Sequence, residues 1–531
     1  MSFKKEYIPL LIGIAMAGGI FLGSKLNFHD AGEQIFATNS KKDKLNRLID
    51  YIDYEYVDDV NTDSIVDVTV NEILDNLDPH SVYIPVADYE DNADDMRGNF
   101  TGIGVSFHVH NDSIAVIRAI AGGPAVKAGI KEGDRILKAD NRQLFGNTID
   151  RDSIPVYLKG EKDSKVVLQI YRPSEDKIME VNVRRDDVPL ISVDAAYAIN
   201  DEVGYIKLNR FAESSFDEFE TALDKLNREN ISALILDLRG NPGGYIASAE
   251  QIIDEFLEDD TLVLITKNKN GEEEKTYATR RGEFEDGMVY VLIDENSASA
   301  SEIVAGALQD NDKGMIVGRR SFGKGLVQRE MSLGDGSAIR LTIARYYTPS
   351  GRSIQRSYEE GNDAYFNEYQ TRYSNGELQD AENIVVSDSL VYKTVNGRTV
   401  YGGGGITPDV FVAKDTSREQ ETIDFIGRSG SMSYYVFTIL DQKRTAFNSL
   451  SFKEFNDNYV VTTEVAQGFI DYIRALSGVY LNLEPTSPEF KLALKAAMAE
   501  QLFGPEEKEI LLNLQDAMIL KVLQIEEKKK Q

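Results

Sequence analysis

Between Asp294 and Gln328 the chain gathers residue types that could carry out acyl transfer. Three serines, Ser297, Ser299 and Ser301, alternate with alanines, Glu302 follows, and Lys324 stands between Gly323 and Gly325. A serine at a helix start faces unpaired backbone N–H groups and the positive end of the helix dipole. Such a serine can act as a nucleophile whose acyl oxyanion meets backbone donors. The same letters also have a purely structural meaning, because Ser299-x-x-Glu302 spells a capping box. The supply of bases separates the two meanings. All four histidines, His29, His80, His108 and His110, precede residue 111, and there is no cysteine. Acyl chemistry in the later two thirds of the chain therefore has no histidine for a Ser-His-Asp triad. A lysine can replace it if desolvation lowers its pKa by several units from about 10.4. The glycines beside Lys324 let the backbone pack closely and turn that side chain inward.

The elements around these residues can be read from periodicity. Met288 to Ile293 is an apolar, β-branched run that predicts a buried strand. Ile303, Val304, Ala307 and Leu308 then recur at helical spacing. The result is strand, tight turn and helix, with serines at the helix start. Gly318 to Lys324 also matches G-x-x-x-x-G-K, the opening of a phosphate-binding loop. The next residue is Gly325 rather than Ser or Thr, and Leu326 to Met331 reads as a strand. A phosphate-binding loop must open a helix, so nucleotide binding is disfavoured.

Three segments carry a resemblance to a known family. Ser-Ala-Ser-Ala-Ser-Glu-Ile from 297, Ala-Gly-Ala-Leu-Gln-Asp from 305 and Ser-Phe-Gly-Lys-Gly-Leu-Val-Gln from 321 resemble the carboxy-terminal processing peptidases, or tail-specific proteases. By position the resemblance implies Ser299 as nucleophile, Lys324 as general base and Gln328 as the residue orienting that lysine. It puts Glu302 where some members carry an accessory acid; a helix-capping role stays open beside it. It implies neither metal nor cofactor.

The chain has 531 residues, 42% of them hydrophobic, and a formal net charge of −30. That length predicts several domains, and that charge argues against nucleic-acid binding, which requires a basic face. Lys4 and Lys5 precede an apolar run from Tyr7 to Gly23 with no A-x-A cleavage site after it. Residues 1–26 are expected to form a retained membrane anchor rather than a cleaved signal. The leading lysines predict an inside N-terminus and export of the rest. Together with the resemblance, this places the protein on the periplasmic side of a bacterial inner membrane.

Residues 40–97 read as an N-terminal helical segment that includes the turn Leu77-Asp78-Pro79-His80-Ser81; His80 is expected to be a turn residue rather than a ligand. Residues 98–186 read as β-rich. Gly102-Ile103-Gly104-Val105, followed by Gly123-Pro124-Ala125 and Gly133-Asp134, is similar to PDZ domains. The similarity implies that N–H groups of that loop bind a terminal carboxylate while the peptide adds a strand to a sheet edge. Residues 187–414 alternate strand and helix, with a polar, tyrosine-rich stretch at 356–392 expected to be an insertion or loop. Within them Asp237-Leu238-Arg239-Gly240-Asn241-Pro242-Gly243-Gly244 lies at a strand end, where α/β proteins build sites. There the resemblance implies an oxyanion hole from Gly243 and Ala300, although sequence does not decide between Gly243 and Gly244. Residues 415–531 read as a helical extension, serving as a cap or a dimerisation element.

The expected architecture is multidomain α/β: a core of the Clp-protease and crotonase type, an inserted PDZ-like domain and helices at both ends. The expected function is a serine endopeptidase of the cell envelope that recognises exposed C-termini of proteins and peptides, without nucleic acid as a partner. The alternative is a catalytically silent PDZ-containing scaffold.

Overall fold

The computed structural model describes residues 40–110, 112–146, 151, 153–279, 282–386 and 389–530. The expected anchor, residues 1–26, lies outside the described residues. Among those described, no helix is long and apolar enough to cross a membrane. The chain divides after Asn76. Before it, Ser40–Glu55 and Thr62–Asp75 are the two helices their periodicity predicts, the second capped by Asn61. Residues 77–97 belong to the large unit because their strand Val82–Ile84 pairs with Ala338–Tyr347.

In that unit, apolar β-branched runs alternate with amphipathic helices and build a six-stranded sheet. Its order is Val193–Ala198, Val203–Leu208, Ala233–Asp237, Met288–Ile293, Gly314–Gly318 and Val410–Phe411. Only the first pair is antiparallel. The loops after Leu208, Asp237, Ile293 and Gly318 therefore converge at one edge, where open α/β sheets bind ligands. Helices Ser215–Asn227, Ile246–Asp254 and Ala300–Asp310 cover one face through Phe219, Leu223, Ile252, Ile303 and Leu308. The periodicity of Ala300–Asp310 predicts one apolar face, yet all eleven of its residues are buried. The reason is a second sheet, in which Ala338–Tyr347 pairs with Val82–Ile84, Leu262–Asn268 and Leu326–Ser332. Its Tyr346, with Ile354 and Ile406 beyond it, closes the other side of that small-residue helix.

Residues 99–189 form a separate layer. Strands Val105–His110, Ser113–Ala119, Arg135–Ala139, Lys165–Arg172 and Lys177–Arg184 make an antiparallel sheet over a core of Ile114, Ile136, Leu168 and Ile170. Asn99–Gly102 pairs with Asp186–Pro189, so the module enters and leaves at one point, as an insertion must.

The C-terminal helices cap this unit. In the last of them, Ala517–Lys529, Met518, Ile519 and Val522 pack on the second face of the core sheet. Asp516 pairs with Arg239 at 2.6 Å and Glu509 with Lys207 at 2.9 Å. Helix Ser431–Gln442 reaches the inserted module, where Phe437 packs on Ala115 and Ile117 and Asp441 meets Arg135 at 2.5 Å. The polar stretch 356–392 contains the short helices Asn362–Phe366 and Glu368–Ser374.

Candidate active site

Ser299 joins the strand Met288–Ile293 to the helix Ala300–Asp310 with φ 54° and ψ −114°. This backbone region is unfavourable for a residue with a Cβ, at a cost of about 1–3 kcal/mol, and such strain persists only where the surroundings enforce it. They do so here. Glu302 Oε2 accepts the Ser299 N–H at 2.9 Å, and the Ala298 N–H donates to the Asn241 carbonyl at 3.1 Å. The neighbouring serines are spent on structure: Ser297 Oγ donates to the Leu238 carbonyl at 2.8 Å and Ser301 Oγ to the Asn241 carbonyl at 3.0 Å. Both are fully buried, whereas Ser299 lines a cleft of about 680 Å³.

Lys324 and Gln328 line the same cleft. Lys324 Nζ lies 2.9 Å from Gln328 Oε1. Burial is the main cause that lowers the Lys324 pKa to about 8, Arg340 adds to it, and the carboxylates of Glu302 and Asp78 oppose it. The amine is therefore partly neutral near pH 8, as a general base must be.

Glu302 is fully buried. Its Oε2 also accepts the Lys324 N–H at 2.8 Å, and its Oε1 accepts the Gly323 N–H at 2.7 Å and the Ser321 hydroxyl at 2.5 Å. Burial pushes its carboxyl up, while those hydrogen bonds hold it down. The Gly318–Lys324 segment is thus cradled around an internal carboxylate and leads into the strand Leu326–Ser332, which removes the phosphate-loop geometry.

The second backbone wall is the Asp237–Gly244 loop. Buried Asp237 holds Arg239 (Nε to Oδ1, 2.9 Å) and accepts from Tyr205 at 2.8 Å. Gly243 presses so close that a Cβ on it would lie 2.7 Å from Ser299 Cβ and 2.8 Å from the Ala300 nitrogen. The N–H of Gly243 donates to Asn241 Oδ1 at 2.9 Å. Among the described residues, the N–H groups of Gly244 and Ala300 carry no hydrogen bond. Gly244 is therefore the glycine with a donor to spare.

Three contributors escaped sequence reasoning. The His80 carbonyl accepts the Gln328 amide N–H, and the turn bearing it is held by buried Asp78, which accepts from the N–H groups of His80 (2.9 Å) and Ser81 (3.0 Å). The Tyr346 hydroxyl lies 2.7 Å from the Lys324 carbonyl and 3.2 Å from the Ser299 carbonyl. Arg340 comes from the same strand, Ala338–Tyr347. The Leu-Asp-Pro-His-Ser turn and the strand leading to Tyr346 had a sequence signal, but these contacts did not.

The Gly102–Val105 loop does not line this cleft. It precedes an edge strand of the inserted sheet, and among the described residues the N–H groups of Ile103 and Gly104 make no hydrogen bond. That geometry suits an anionic group.

Comparison with known proteins gives three family matches: Peptidase family S41 over residues 202–361, PDZ domain over 101–183, and a family of unknown function over 424–504. The chain is similar to a carboxy-terminal-processing protease of Bartonella bacilliformis, with 34% identity over 353 residues, 64% of this chain and 80% of that protein. It is similar to carboxy-terminal processing protease CtpB of Bacillus subtilis, with 33% identity over 317 residues, 59% of this chain and 65% of that protein. Among solved structures, a photosystem II D1 C-terminal processing protease shares 24% identity, covering 68% of this chain and 84% of that one, with a TM-score of 0.35.

Proposed function

Because the chain belongs to the carboxy-terminal processing proteases of peptidase family S41 and carries a PDZ domain, we propose that Ser299 and Lys324 form its catalytic dyad. The chain is a serine peptidase, and the silent-scaffold alternative is not favoured. The observation that carries the assignment is the buried Lys324 amine, lowered to about pKa 8, in one cleft with the strained Ser299.

In this mechanism Ser299 Oγ attacks the scissile carbonyl as its proton passes to Lys324 Nζ. Gln328 Oε1 accepts from Nζ and fixes its direction. The N–H groups of Ala300 and Gly244 receive the oxyanion, a contribution of about 2.7–4 kcal/mol for one donor. Lys324 then protonates the leaving amine. Lys324 Nζ, neutral again, takes a proton from the water that attacks the acyl-enzyme and gives it to Ser299 Oγ as the ester bond breaks. Glu302 holds both backbones and acts by position.

The Gly102-Ile103-Gly104-Val105 loop binds the substrate's terminal carboxylate, and the edge strand beginning at Val105 receives its backbone. Residues 1–26 hold the enzyme at the membrane with residues 40–531 on the exported side, and copies of the chain form a homodimer. Fractionation and sedimentation of the full chain check those two statements.

The dyad is tested with an unfolded protein substrate. Ser299→Ala is expected to lose turnover entirely and to keep substrate binding; equal cleavage by parent and variant removes Ser299 from the mechanism. Amidation of a peptide substrate's C-terminus is expected to raise KM at least tenfold at unchanged kcat. An unchanged KM removes the carboxylate role of the loop.

A further inference from the structure

The insertion at 356–392 is built against the segment that presents Lys324. Arg372 Nη1 donates to the carbonyls of Arg320 and Ser321, both at 2.9 Å, and Arg356 Nη1 to that of Phe322 at 3.0 Å. These are the three carbonyls directly before Gly323-Lys324. The Arg356 guanidinium lies 3.8 Å and 3.9 Å from the ring centres of Phe322 and Tyr365. Glu368 and Glu377 pair with these arginines and with Arg320, whose Nε lies 2.7 Å from Glu377. The family match to peptidase S41 ends at residue 361, so the helices supplying Tyr365 and Arg372 lie beyond it.

One contact reaches further. The hydroxyl of Tyr365, a nearly buried side chain, lies 2.8 Å from His80 Nε2, and the two rings meet edge-on at 5.2 Å. Burial, then Lys324, push the His80 imidazole down to about 3, so it stays neutral over the working range. The His80 backbone carbonyl in turn accepts from Gln328 Nε2. A carbonyl only accepts, so it decides which end of the Gln328 amide faces it. The amide oxygen is then left pointing at Lys324 Nζ, at 2.9 Å. Moved or unheld, that carbonyl would let the amide rotate and present a donor to the amine.

We propose that Tyr365 and His80 are positioning residues for Lys324: the insertion holds the His80 turn, and the turn fixes the Gln328 amide that aims the base. The proposal rests on Lys324 being the base. It assigns the insertion a part in catalysis without contact with substrate.

Three variants test it, each measured for kcat, KM, the pH profile of kcat/KM with an unfolded protein substrate, and Tm. Tyr365→Phe keeps the ring against Arg356 and removes only the hydroxyl. His80→Gln keeps a polar group near the Nε2 position, and His80→Ala removes it. Tyr365→Phe is expected to lower kcat about 5- to 20-fold with KM within about twofold, and to move the acid limb to higher pH as water reaches a less closely held ammonium. His80→Gln is expected to retain more of kcat than His80→Ala. Tyr365→Phe with the parent's kcat and acid limb overturns the proposal. So does a fall in kcat that follows Tm with the limb unmoved, since that is a structural effect alone. Lys324→Ala separates the underlying assignment: if it turns over like the parent, the base is elsewhere and the proposal falls with it.

Discussion

Glu302 Oε2 accepts the backbone N–H of Ser299 at 2.9 Å and, with the same oxygen, that of Lys324 at 2.8 Å. One buried carboxylate therefore sets the distance between the two chain segments that carry nucleophile and base. Glu302→Gln puts an amide NH₂ where two sets of N–H donors converge. It should destabilise the fold by about 1–3 kcal/mol through an unsatisfied buried donor, and lower kcat at least tenfold. Denaturant unfolding and steady-state kinetics check this. A variant with the parent's kcat would reduce Glu302 to a helix cap.

Activity should follow the deprotonation of Lys324. With its pKa at about 8, kcat/KM is expected to climb about tenfold per pH unit below that value and to level off above it. Lys324→Arg should be inactive throughout, because guanidinium stays charged. Rate profiles from pH 6 to 10 decide it.

The same amine should leave a mark on stability. The folded pKa of about 8 is depressed below the ordinary lysine value of 10.5, so the unfolded chain holds the proton more tightly between those two values. Stability contributed by the neutral amine is present above pH 10.5 and lost as pH falls through 8, an effect on the order of 3 kcal/mol. Lys324→Met is accordingly expected to be more stable than the parent at pH 7, with the advantage shrinking as pH rises through that window. Parallel denaturation curves at pH 7 and pH 10 test this, and a constant difference would contradict it.

Gly243 should be intolerant for a steric reason distinct from hydrogen bonding. A methyl group there would lie 2.8 Å from the Ala300 nitrogen and block that donor. Gly243→Ala is expected to cut kcat about 10²- to 10³-fold, the cost of one oxyanion donor, with substrate binding retained. Single-turnover kinetics with a separate binding measurement distinguishes this from loss of folding.

Much of this was legible because the chemistry-bearing residues are close in sequence. Lys324 and Gln328 are four residues apart on one loop-to-strand segment, and Ser299 lies at a strand-to-helix junction whose periodicities are clear. The strand and helix alternation after 193 was legible for the same reason. What lay hidden depends on contacts between distant residues. His80 contributes through its carbonyl, which every residue type has, so no letter announces it. Tyr346 and Tyr365 meet the site from positions where tyrosine is also an ordinary core residue. Gly243 and Gly244 are the same letter twice, and only the fold shows that the Asn241 side chain takes up the N–H of Gly243. The stretch 356–392 showed only its polarity in sequence; in the fold its arginines and glutamates pair with one another and with the carbonyls before Lys324.

The central claim is that the buried Lys324 amine gives up its proton near pH 8, well below an ordinary lysine. NMR titration of the Lys324 side-chain carbon, assigned by comparison of ¹³C-lysine-labelled Ser299→Ala protein with its Lys324→Met derivative, measures it directly. The account predicts a transition near pH 8. A Lys324 signal that titrates above pH 10, like an ordinary exposed lysine, would contradict it.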